Sequence, residues 1–135
     1  MALTITASSV AIGSATTYVE VVQVGEAVTQ GQPGYKHTDD KYYRTINTSA
    51  AAANCKGIFV TPAATNGYAV IARGDIIIGA TVTKSQSYYV GGVAGEIELW
   101  SDIATGDTEY VTNLGTATST TIIHVDPDAS GVTKP

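Results

Sequence analysis

The stretches "VTQGQPGY" (residues 28–35) and "VTKSQSYY" (residues 82–89) lie 54 positions apart and share Val, Thr, Gln and the closing Tyr at four of eight positions. The agreement extends outward. After Tyr35 come a polar turn and a strand-like run, "KHTDDKYYRT"; after Tyr89 come a Gly-rich turn and "EIELW". Each copy then reaches a Gly-led strand, "GIFVT" from Gly57 and "GTATS" from Gly115, followed by an apolar strand, "YAVIA" or "TIIHV". Thr- and Gly-rich β chains also produce such matches by chance. It is the agreement of the flanking strands that favours two related, hairpin-rich halves.

The rest of the chain keeps the same rhythm, with alternating runs broken by turn residues every ~8–12 positions, as in all-β domains. "TYVEVVQV" (residues 17–24) alternates and ends at Gly25. Asn66-Gly67 is a tight-turn signal, and Gly74-Asp75 reads as a further turn between "YAVIAR" and "DIIIGATVT". Gly79, inside that last run, suggests a bulge or bend. One segment, "TSAAAANCK" (residues 48–56), reads either as a short helix capped by Thr48 or Ser49 or as a packed connection. The expected organisation is an N-terminal arm (1–17), a β domain (18–126) and a polar, flexible, frayed tail (127–135). Closing the strand set removes exposed edges, so the expected fold is all-β, a small closed barrel or compact sandwich of hairpins.

Composition agrees. Charged residues make up 14 % against roughly 25 % in ordinary domains. Thr, Val, Ile and Tyr, which suit pleated surfaces, outweigh the helix formers Glu, Lys, Leu and Met. The net charge is −5 and the seven basic residues are scattered with no two adjacent, which argues against a phosphate-gripping face and a nucleic-acid partner. The N-terminus has neither a basic start nor a continuous apolar run, so no signal peptide is expected. Nor does any run of about 18 apolar residues predict a membrane span. The expectation is a soluble chain made in a cytoplasm. Cys55 is the single cysteine, which excludes an intrachain disulfide and suggests a small buried thiol.

Catalytic signals are sparse. His37 stands near Asp39 and Asp40 in what reads as a solvated turn. His124 and Asp126 share a strand face two residues apart. The nucleophile elbow, phosphate-binding loop, dinucleotide fingerprint and zinc-protease motif are all absent. "DPDASG" places Asp126, Asp128, Ser130 and Gly131 at the spacing that opens a calcium loop. The Glu such a loop needs at its twelfth position would be residue 137, so an ordinary turn is expected. No enzyme, cofactor or metal is predicted.

Eight Tyr and one Trp stand against one Phe, a choice that suits interfaces. In the pairs Tyr42-Tyr43 and Tyr88-Tyr89 one ring should point inward and the other outward. The outward rings and Trp100 could serve a subunit contact or stack on a sugar. In the arm, Leu3, Ile5, Val10 and Ile12 stand among small polar residues. This segment either adds a strand to another chain's sheet edge or is the first strand of its own domain.

From about Val24 to Val132, the elements "AVTQGQPGY", "GIFVTPA", "GYAVIARGDIIIGATVT" and "YVTNLGTAT" give a layout that resembles the capsid decoration, or cement, proteins of tailed bacteriophages. The resemblance implies a non-enzymatic structural protein, made in the bacterial host cytoplasm and added to the outer surface of an expanded head. There it would sit as a homo-trimer bridging major capsid protein subunits, with no nucleic-acid or membrane partner. By position, the resemblance assigns Leu3, Ile5, Val10 and Ile12 to a capsid-binding arm. The competing expectations are a carbohydrate-binding or adhesin module on the virion surface, and a head-fibre base.

Overall fold

The computed structural model describes residues 2–135. Its organising element is the strand Tyr68–Ile78, which pairs with four others. The strands in chain order are β1 (Val10–Ile12), β2 (Tyr18–Gln23), β3 (Pro33–Lys36), β4 (Tyr42–Arg44), β5 (Gly57–Phe59), β6 (Tyr68–Ile78), β7 (Ser87–Val90), β8 (Ile97–Glu98), β9 (Tyr110–Ala117) and β10 (Ile122–Thr133). They form one sheet in the order β4-β3-β5-β6-β10-β9-β7-β8, with β1 and β2 also pairing β6. The sheet is antiparallel and curls into a half-barrel, and the fold is nearly all-β as the composition predicts.

The anticipated turn at Gly74-Asp75 is not one. Both apolar runs are a single strand, because Gly74 takes φ +109 and bends the chain while still pairing Val125. A Cβ at that position would meet Thr17 Cα at 3.2 Å, so glycine permits both the bend and the close approach. Across the bend the inward face of β6 switches: Ala69 and Ile71 are buried before it, Ile76 and Ile78 after it. Each set faces its own core. Val22, Val24, Val28, Tyr42, Phe59, Ala69 and Ile71 form one cluster. The larger one contains Ile58, Ile76, Ile78, Val90, Ile97, Leu114, Ile123 and Val125.

The repeated stretches make matching hydrogen bonds. Gly31 and Ser85, at equivalent positions, both have positive φ (+90 and +71). Their N–H groups donate to Phe59 O and Ala117 O, each at 2.8 Å, and Phe59 N and Ala117 N donate back to Gln32 O and Gln86 O, each at 2.9 Å. Registers match as well. Val21↔Val70 and Val22↔Ala69 in β2–β6 become Asp75↔His124 and Ile76↔Ile123 in β6–β10, with both members of each pair moved by 54 positions.

Of the two readings of residues 48–56 the packed connection describes the geometry: they form turns with no helix, Ala52, Ala53 and Cys55 are buried, and Ser49 Oγ accepts Ala52 N–H at 3.1 Å. A segment this short does not sustain a helix on its own. A further expectation meets a correction. The tail read as frayed is the second half of β10, pairing Asp128↔Asn113, Ala129↔Thr112 and Thr133↔Tyr110. Its polar side chains project outward while its main chain pairs β9 at these positions. Beyond it Lys134 is buried, its Nζ donating to Trp100 O at 2.8 Å and Ile103 O at 3.1 Å.

Candidate functional site

The arm residues are held by the chain's own fold. Leu3 N–H donates to Ile97 O of β8 and Thr6 N–H to Gly79 O just after β6. β1 then pairs β6 through Val10↔Ile78 and Ile12↔Ile76. Leu3 and Ile5 pack against the larger core, Val10 is buried within it, and Ile12 is 45 % exposed. Of the two readings of this segment, the first-strand one describes its geometry. Only Ile12 of the four offers substantial apolar surface to another molecule.

The exposed apolar side chains gather elsewhere. Val19, Val21 and Gln23 of β2 pair Ala72, Val70 and Tyr68, so these six share one face, which is covered at its Ala72 end by the larger core and open toward Val21 and Tyr68. On it Val21 and Tyr68 are each 68 % exposed and Val19 is 45 % exposed. This is the outer face of the first half, opposite the core that holds Val22 and Ile71. Among the named strands β2 pairs only β6; the residue after it, Val24, bridges Tyr42 of β4, and along Tyr18–Gln23 the other side is a sheet edge of the kind proteins usually blunt or cover.

At the equivalent outward position of the second half the surface is polar. His124 Nδ1 lies 2.9 Å from Asp75 Oδ1. His124 and Asp126 border two adjoining depressions. One, of about 440 Å³, is lined by Asn113, Thr116, Asp126 and Asp128. The other, of about 270 Å³, reaches Tyr18 and Arg73, whose guanidinium stands 4.8 Å from the Tyr18 ring centre. The sequence reading placed His124 and Asp126 on one face but missed Tyr18, Arg73 and Asp75. The signal that finds Asp75 is the 54-residue offset, which sets it opposite His124; Tyr18 and Arg73 carry no comparable local signal.

The remaining candidates separate. His37, Asp39 and Tyr43 cluster in the exposed β3–β4 turn, where Tyr43 Oη donates to Asp39 Oδ2 at 2.6 Å and the His37 and Tyr43 rings meet edge-on at 5.2 Å. That hydroxyl holds the Asp39 carboxyl below its ordinary value, with Lys41 N–H adding to the effect. Asp126, Asp128 and Ser130 lie on β10 instead of forming a loop, and Ser130 Oγ donates to Val111 O at 2.6 Å. Cys55 is buried, and burial pushes its thiol up to about 12. Tyr42 and Tyr88 point inward, and their neighbours Tyr43 and Tyr89 are half-exposed, as expected. Tyr89 packs on Trp100 with ring centres 5.6 Å apart, and the Lys134 ammonium stands 4.6 Å from the Trp100 ring centre.

Among the described residues no helix is long and apolar enough to cross a membrane. Compared with known proteins, the chain matches no family model, no curated protein and no solved structure.

Proposed function

We propose that the chain is a structural virion protein, which binds the exterior of an expanded phage head and stabilises it by bridging major-capsid subunits. In this reading it works without catalysis or cofactor and acts as a trimer on the shell. Its two halves are copies of one hairpin unit, each curling toward a small barrel of its own, as the shared turn hydrogen bonds and offset registers support. The observation that carries the proposal is the outer face of β2–β6. The same architectural position is polar in the second half (Asp75, His124) and apolar in the first (Val21, Val70). An apolar stripe kept at an open sheet edge fits a surface that is covered in use.

The test is co-sedimentation with undecorated, expanded heads of the phage that encodes the chain. Saturable binding lost in Val21→Lys would support the reading. Absence of binding by the wild-type chain would sink it.

The groove along Tyr18, Arg73, His124, Asp126 and Asp128 favours a second reading, a carbohydrate-binding module. Carboxylates and an imidazole beside an exposed aromatic ring suit vicinal hydroxyls and an apolar sugar face. A glycan array, read against Tyr18→Ala and Asp126→Ala, separates it from the first.

A further inference from the structure

The two ends of the curled sheet meet at Asn47, and the atoms around it are incompletely satisfied. Asn47 is fully buried. Its N–H donates to Gly91 O at 3.0 Å and its carbonyl accepts Tyr110 N–H at 2.7 Å. Its Nδ2 donates to Val90 O at 3.2 Å and Glu109 Oε1 at 3.3 Å. The chain after β4 is thereby fastened to the β7 and β9 side. The fourth polar group, Oδ1, is enclosed with no hydrogen-bond donor.

A second enclosed oxygen stands nearby. Glu98 Cγ lies 3.1 Å from the point a Cβ on Gly91 would occupy, which sets its carboxylate beside the Gly91-Gly92 backbone, and Glu98 Oε2 is shut from solvent and has no donor either. Glu109 is oriented by Ala104 N–H, which donates to its Oε1 at 2.7 Å. Its Oε2 lies 2.6 Å from the point a Cβ on Gly92 would occupy, and Asn47 Oδ1 lies 3.6 Å from that same point. A side chain at Gly92 would collide with the Glu109 carboxylate. Three oxygen-bearing side chains from three separate segments therefore converge beside one glycine.

Buried acceptors without donors are costly and call for a partner. No described basic side chain supplies one. The nearby Lys134 ammonium is spent on Trp100 O and Ile103 O, and neither Glu98 nor Glu109 forms an ion pair with a described Lys, Arg or His. Burial, and after it the charges of Glu109, Asp102 and Glu96, raises the Glu98 carboxyl above its ordinary value. Among the described residues, then, no basic side chain pairs with the Glu98 or Glu109 carboxylate.

We propose that Asn47 Oδ1, Glu98 and Glu109 bind a divalent cation of the calcium type, with water filling its remaining positions. The donors are all oxygen and come from irregular segments, which suits calcium's tolerant coordination better than the strict octahedron of magnesium. With no nitrogen or sulfur donor they do not suit zinc. Among the described residues no three His, Cys, Asp or Glu side chains form a metal cluster, so the amide oxygen is essential to the set. Two carboxylates and one amide place the affinity at the weak end of calcium sites, with a dissociation constant on the order of 10⁻⁴–10⁻³ M. The bound ion would join the chain after β4 to β8 and to the approach to β9, fixing the curl of the sheet.

The test uses the full chain, stripped with a chelator and titrated with calcium chloride to about 10 mM, above that range. Magnesium chloride is titrated in parallel, and binding heat and thermal midpoint are read together. The expected result is saturable calcium heat with a midpoint rise of a few degrees, and a smaller response to magnesium. Glu98→Gln removes a carboxylate that is unfavourable in the ion-free protein. It should therefore fold at least as well without calcium, and lose the calcium response. A wild-type chain with no calcium heat and no midpoint shift would overturn the site. So would a Glu98→Gln variant that keeps the full response.

Discussion

His124 stands directly opposite Asp75 across β6 and β10, its Nδ1 2.9 Å from the carboxylate, at the register position that Val70 and Val21 occupy across β2 and β6. Equivalent register positions thus carry one polar and one apolar outward pair, over inward pairs that are apolar in both, Ile76 with Ile123 and Val22 with Ala69. The contrast makes the two outer pairs separable by mutation. Both members of the polar pair are well exposed, and such pairs contribute little to stability. Asp75→Asn should lower unfolding stability by no more than about 1 kcal/mol in urea titration. If the groove binds sugar, the same variant should weaken that binding while leaving head binding intact.

The apolar pair should behave in the opposite sense. Val21 is 68 % exposed at a sheet edge, and substitutions at such positions change stability by about 0.5 kcal/mol or less. Val21→Lys should therefore keep its thermal midpoint and its circular dichroism spectrum but fail to co-sediment with expanded heads. A variant that binds normally would move the capsid contact away from this face.

The arm offers a test within one strand. Val10 and Ile12 are two residues apart and face the same side of β1, yet Val10 is buried at 8 % and Ile12 stands 45 % exposed. Val10→Ala leaves a cavity in the larger core and should cost about 1–3 kcal/mol. Ile12→Ala should cost about 0.5 kcal/mol or less. Equal, small effects in chemical denaturation would mean that the arm leaves its own sheet in solution and is available to another chain.

Much of this was legible because period-two alternation and turn residues report a backbone that is paired and half-buried. The strands at Tyr18–Gln23 and Ser87–Val90 follow from it directly, as does the division of each adjacent Tyr pair into one inward and one outward ring, though not which ring is which. Gly74-Asp75 misled because the same dipeptide that makes a turn also permits a bend inside a strand, and only β10 on the far side decides between them. The last residues misled for a related reason: Asp126, Asp128 and Ser130 are polar because they face outward, while the strand that carries them pairs β9 through Val125, Asp128, Ala129 and Thr133. Asn47 and Glu109 stand 62 positions apart and meet only because the sheet curls, which no local pattern encodes.

Cys55 gives a measure of how tightly the connection after residue 48 is packed. Its Sγ donates to Gly57 O at 3.3 Å, and burial pushes the thiol up to about 12. Because the thiolate is the reactive form, a disulfide reagent at about pH 8 should leave the native protein unmodified. It should modify one thiol promptly in denaturant. Rapid labelling of the native chain would show that residues 48–56 open readily.

The β3–β4 turn carries a pH signature of known sign. The Tyr43 hydroxyl, first, and then Lys41 N–H lower the Asp39 carboxyl, while the same hydrogen bond raises the Tyr43 hydroxyl. Asp39 in the unfolded chain titrates near its ordinary value of about 3.9. Its folded value lies below that, so its contribution to stability is complete above about pH 3.9 and is lost as pH falls through the folded value. Tyr43→Phe removes the larger cause. In that variant a carboxyl NMR titration should show the Asp39 midpoint moving upward toward the ordinary value, with the Lys41 contact holding it slightly below. In the wild type the Tyr43 phenol should ionise above the ordinary tyrosine value, as read by ultraviolet absorbance at alkaline pH against the Tyr43→Phe variant. An Asp39 midpoint unchanged by the substitution would mean that the 2.6 Å contact does not persist in solution, and that the turn is fixed by Lys41 alone.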